Sequence, residues 1–157
     1  MAEAIDYFMI QNLLNRYSDA VDRGDFERVG EMFRHADIYF PGDTEPTCKA
    51  GGDFDFGDSL TKWTRRYPDT GNPKTRHLCT NPIIDFDDDS HARCQTYFVV
   101  FQATDELPLQ PIITGSYVDR FEKVDGEWRF TERRELIGQV GNLSAHLLET
   151  FSGPTGE

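Results

Sequence analysis

The chain has 157 residues, a length that suits one hydrophobic core, and 38% of them are hydrophobic. The 12 Phe, 6 Tyr and 2 Trp supply bulky apolar material, which argues against disorder. Acidic residues outnumber basic ones 28 to 16, and a net charge of −12 repels phosphate backbones and anionic lipid, so neither nucleic acid nor a membrane surface is expected as a partner.

No apolar run approaches the roughly 20 residues needed to span a bilayer. The opening segment, Met1 to Gln11, carries acids where a secretory signal has a basic region followed by an apolar run. Cys48, Cys79 and Cys94 are an odd count at unrelated spacings, which fits free thiols in a reducing compartment; a cytoplasmic protein is expected. One domain over residues 1–150 is expected, followed by a flexible tail, 151–157, rich in Ser, Gly and Pro.

From Ala4 to Val21, Ile10, Leu13, Leu14, Tyr17, Ala20 and Val21 recur three and four apart, which predicts a helix closed by Gly24. Asp25 is placed to cap a second helix, Phe26 to Phe33. A short strand, Ala36 to Phe40, comes next. Asp55 or Asp58 caps a third helix that runs to about Tyr67, ahead of the breakers Pro68 and Pro73. The second half changes character. Thr75–Phe86, Ala92–Ala103, Ile112–Val124 and Trp128–Ile137 are rich in β-branched and aromatic residues, and the last two are joined by the hairpin dipeptide Asp125-Gly126. Helices followed by a meander of long strands predict an α+β fold, with N-terminal helices packed on a curled antiparallel sheet that encloses a cavity.

Two residues stand out by position. Asp22 sits in the last turn of the first helix, where the macrodipole disfavours a negative charge. It is either a functional residue or a solvated member of an acidic turn with Asp19 and Asp25. His77 shares a strand face with Thr75, Cys79 and Asn81 under simple alternation, which makes it a pocket histidine or a satisfied structural one. No Gly-rich phosphate loop, Gly-x-Ser-x-Gly or CxxC pair is present, and His77-x-Cys79 lacks a second ligand pair at zinc-like spacing. Phe54, Phe56, Trp63, Phe98 and Phe101 are candidate walls for an apolar substrate, or ordinary core, and Gln102 is placed to face the same interior.

The segment Leu13–Asp25, the strand Thr75–Asn81, and Thr114–Phe121 followed by Asp125–Phe130 and Arg133 resemble the SnoaL-like branch of the nuclear transport factor 2-like superfamily. The resemblance covers about residues 5–137. It implies a cone-shaped sheet with an Asp–His dyad inside, as in bile-acid dehydratase, scytalone dehydratase and hexachlorocyclohexane dehydrochlorinase. By this resemblance Asp22 and His77 form the dyad, Tyr17 takes the place of a site tyrosine, and Arg133 that of a cavity arginine. The implied activity is a cofactor-independent, metal-free elimination from a steroid, polyketide, terpenoid or aromatic. An isomerase or polyketide cyclase using the same base, or a non-catalytic subunit, are the other readings. A homodimer formed through the outer sheet face is the family habit. One departure stands out. Those dehydratases carry a further acid or histidine on the second long strand, where Val100 and Gln102 offer no proton shuttle.

Overall fold

The computed structural model describes residues 2–156. Helix α1 (Ala2–Arg23) buries Ile10, Leu14, Tyr17 and Val21 along one stripe. Gly24 ends it at φ +74°, and a β-carbon there would lie 2.5 Å from the Gly71 carbonyl oxygen, so neither the conformation nor the space admits a larger residue. Asp25 caps α2 (Phe26–Met32) by accepting from the Arg28 N–H at 3.1 Å. Asp55 and Asp58 together form a capping box for α3 (Phe56–Trp63). This helix stops short of Tyr67 because Thr64 turns extended and bridges to Leu147 in the C-terminal segment.

The strands β1 (Asp37–Tyr39), β2 (Thr75–Phe86), β3 (His91–Gln102), β4 (Gln110–Val124) and β5 (Glu127–Val140) form one sheet in the order β1-β5-β4-β3-β2. All neighbours are antiparallel except β1 and β5. Register shifts at Thr80/Ile83, Val100/Phe101, Ile113/Gly115 and Arg120/Phe121 mark irregularities that bend strands and raise local twist. The sheet therefore curls without closing, and the helices fill its concave side. Strand β4 starts before Pro111, which sits beside one of these irregularities, where a missing N–H is tolerated.

Residues beyond β5 cross the open end. Leu148 donates its N–H to the Trp63 carbonyl, and Arg65 donates to that of His146. Further on, Phe151 is half-buried and the Gly156 N–H bonds the Ile137 carbonyl at 2.9 Å. Among the described residues no helix is long and apolar enough to cross a membrane.

Candidate active site

The decisive contact joins the two halves of the chain. Asp22, in the last turn of α1, meets the edge strand β2 through three donors. Its Oδ1 lies 2.7 Å from His77 Nδ1 and accepts the Thr75 hydroxyl at 2.8 Å, while Oδ2 accepts the His77 backbone N–H at 2.8 Å. Burial alone would raise the Asp22 pKa, but the bonds from His77 and Thr75 outweigh it and hold the carboxyl below its ordinary value. A carboxylate acceptor requires a proton on Nδ1, which leaves Nε2 of the neutral ring bare. Among the described residues nothing bonds Nε2.

His77 borders a cavity of about 520 Å³ between the helices and the sheet. Its walls are largely apolar: Val21 and Tyr17 from α1, Phe56 and Trp63 from α3, Phe98 and Val100 from β3. The C-terminal segment closes the mouth with Leu143, His146, Leu147 and Phe151. Tyr17 and Asp22 lie five residues apart, about 140° around an ideal helix. Only Tyr17 enters the cavity, whereas Asp22 grips the imidazole from a cleft between α1 and β2. The Tyr17 hydroxyl faces that of Tyr117 on β4 at 3.4 Å.

Five other expected residues do not line the cavity. Arg133 lies beneath it, fully buried, with Nε and Nη2 each 2.8 Å from the Asp119 carboxylate. Its guanidinium carbon sits 4.0 Å from the Tyr117 ring centre and 4.2 Å from that of Tyr17, a cation enclosed by aromatic faces. Burial opposes its charge, but Asp119 more than offsets this and raises the Arg133 pKa. Gln102 is buried too, and its amide nitrogen serves the carbonyls of Pro73 and Ala145, pinning the C-terminal segment. Asn81 is exposed at φ +53° in the irregularity between Thr80 and Ile83, which ends the alternation that would have put it beside His77. Phe54 precedes the cap of α3 and stays 38% exposed, and Phe101 follows the irregularity after Val100, whereas Phe56 lines the wall as expected.

Several polar wall residues escaped the sequence reading, Tyr117, Glu135 and His146 among them. Tyr117 is the β4 partner of Glu135 on β5, and both border the cavity. Burial drives the Glu135 pKa up to about 7, with Asp119 adding to the rise and Arg133 opposing it. His146 is pushed down to about 4, by burial first and His77 second, so its ring is neutral, and its Nδ1 has no partner among the described residues. Glu135 lay within reach of simple alternation, because residues two apart on a strand share a face and Arg133 was already assigned inward. His146 carried no such signal, since its place depends on how the segment after β5 folds back.

A model of the SnoaL-like domain matches residues 2–134. The chain belongs to the SnoaL-like family. A candidate scytalone dehydratase from Novosphingobium aromaticivorans superposes with a TM-score of 0.73 at 19% identity, over 99% of this chain and 95% of that one. Hexachlorocyclohexane dehydrochlorinase LinA-type3 from Novosphingobium barchaimii gives 0.66 at 18% identity, over 98% of each chain. The β subunit of a candidate aromatic-ring-hydroxylating dioxygenase from N. aromaticivorans gives 0.70 at 18%, over 89% and 94%. At these identities the likeness is one of fold. No curated protein matches the chain in sequence.

The Asp22 contact carries a pH signature. Its carboxyl has a folded pKa below the unfolded value of about 3.9, so its stabilisation is complete above roughly pH 5 and is lost as pH falls through the folded value. Asp22→Asn, which sets an amide against donors that need an acceptor, should cost about 1–3 kcal/mol at neutral pH. That deficit should shrink as the solution is acidified. Urea melts of both proteins across this range test it, and a deficit that stays constant or grows on acidification would contradict it.

Proposed function

We propose that this SnoaL-like protein is a cofactor-independent lyase that eliminates water, or another small group, from an uncharged hydrophobic molecule of steroid, polyketide, terpenoid or aromatic type. The single observation that carries the reading is the 2.7 Å contact between Asp22 and His77 Nδ1, which leaves Nε2 free beside an apolar cavity. His77 takes a proton from carbon at Nε2. Asp22 holds the ring in the one useful tautomer and stabilises the imidazolium that forms, the same division of labour as in other carboxylate–histidine pairs. Tyr17, whose proton is held well above neutral pH by burial, donates a hydrogen bond to a carbonyl or developing oxyanion. Trp63 and Phe98 supply flat apolar walls, and a neutral ligand suits a largely apolar cavity beside which the Arg133 cation is already bound by Asp119. Open space at the dyad favours an enzyme over a non-catalytic subunit, whose core would fill it.

Two copies of the chain pair through the outer sheet face in this reading. Support comes from Leu78, Tyr97 and Leu136, which are 52%, 51% and 40% exposed there. Sedimentation should find a dimer that Tyr97→Glu weakens; a monomeric wild type contradicts the pairing.

The catalytic test is a panel of uncharged polycyclic β-hydroxy ketones and the matching enones in deuterated water. Wild type should exchange the proton next to the carbonyl and release water from the hydroxy ketones, and His77→Ala should lower both rates by ~10²–10⁴-fold. Exchange without water loss would point to an isomerase. Equal rates in the two proteins would remove His77 as the base.

A further inference from the structure

Removal of a proton by His77 leaves half of a dehydration unexplained. Hydroxide departs poorly, so the leaving oxygen needs a proton as its bond to carbon breaks. Beside His77, the titratable side chains on the cavity wall are Tyr17, Tyr117, His146, Glu135, Asp43 and Glu149, of which Asp43 accepts from the Phe40 N–H and the Thr47 hydroxyl and Glu149 is exposed on the C-terminal segment. Burial raises both tyrosines far above neutral pH, which makes them hydrogen-bond donors rather than acids. His146, at about 4, carries no spare proton near neutrality.

Glu135 differs from all of these. Its carboxyl has no hydrogen-bond or ion-pair partner among the described residues. Arg133, two residues away on β5, is committed to Asp119 through two bonds of 2.8 Å. The other titratable groups that sense Glu135 are Tyr17 from α1, Tyr117 and Asp119 from β4, and the Cys48 thiol; none supplies a cation. A carboxyl so surrounded is favoured in its neutral form, with its proton available to whatever occupies the cavity. Strands β4 and β3 separate β5 from β2 in the sheet, so Glu135 and His77 border the ligand from different strands.

We infer that Glu135 is the general acid of the proposed elimination, passing its proton to the departing hydroxyl from β5 while His77 on β2 takes the carbon-bound proton. The C–H electron pair becomes the new π bond, the C–O pair leaves with oxygen, and the Glu135 proton completes water. The protein is left with a His77 imidazolium and a Glu135 carboxylate, and one proton returned through solvent resets both. The acid absent from β3 is thus supplied by β5. This inference rests on the lyase reading, and its test separates the two.

Two ketones are compared on whichever skeleton exchanges in the panel, one bearing a β-hydroxyl and the other a β-chloride. Chloride leaves as an anion and needs no proton. Glu135→Gln should slow water loss ~10²–10⁴-fold and chloride loss far less, whereas His77→Ala should slow both. Equal slowing of the two by Glu135→Gln, or slowing of neither, overturns the inference and leaves the dyad standing. Insensitivity of both to His77→Ala overturns the lyase reading itself. Should the Gln variant fail to fold, wild type suffices. The ratio of water loss to chloride loss cancels the shared His77 dependence, and it should fall about tenfold per pH unit above about 7. A flat ratio overturns the inference.

Discussion

Three donors from one edge strand converge on a single helical carboxylate, and the architecture of the site follows from that junction. Asp22 accepts from the Thr75 hydroxyl and from both the backbone N–H and the ring Nδ1 of His77, so it ties α1 to β2 as it orients the imidazole. The net charge of the helix end is unfavourable in isolation. It is tolerated because the strand supplies more hydrogen bonding than burial removes. Loss of this carboxylate would free the ring and loosen the seam between helix and sheet together.

One buried cation beside the cavity is neutralised within the protein. Arg133 and Asp119 neutralise one another under its floor, and the rings of Tyr17 and Tyr117 lie over the guanidinium. The cavity wall presents two phenols, a neutral imidazole on His146 and the Glu135 carboxyl, while the acidic side chains of Asp43 and Glu149 border it from the loop after β1 and from the C-terminal segment. A buried pair of this kind is a poor stabiliser in itself, since desolvation cancels much of the attraction. Its contribution here is positional, because it ties β5 to β4 against the rings of Tyr17 and Tyr117.

Most of the fold was legible because each element announces itself locally. The stripe from Ile10 to Val21, the caps Asp25 and Asp55, and the Asp125-Gly126 hairpin all act within a few residues. Asp22, His77, Tyr17, Trp63 and Phe98 lie in regular segments, where period alone sets direction. The misplaced residues fail where regularity does. Asn81 sits in an irregularity that ends the strand's alternation, Gln102 is captured by carbonyls of distant loops, and Phe54 precedes a cap that turns the chain. Arg133 points inward as expected, but a partner on the adjacent strand stops it short of the ligand. That partner, Asp119, is a long-range pairing that composition and spacing do not reveal.

The central claim is that His77 is held as one tautomer, protonated on Nδ1 toward Asp22 and bare on Nε2 toward the cavity. Long-range nitrogen–proton correlation spectra of uniformly ¹⁵N-labelled protein, with the His77 signals assigned by their loss in His77→Gln, read this directly. The account predicts a protonated Nδ1 and an unprotonated Nε2 for the neutral ring in wild type, with the distinction lost in Asp22→Asn. A neutral His77 protonated on Nε2, or one averaging equally between both forms in the wild-type protein, would contradict it.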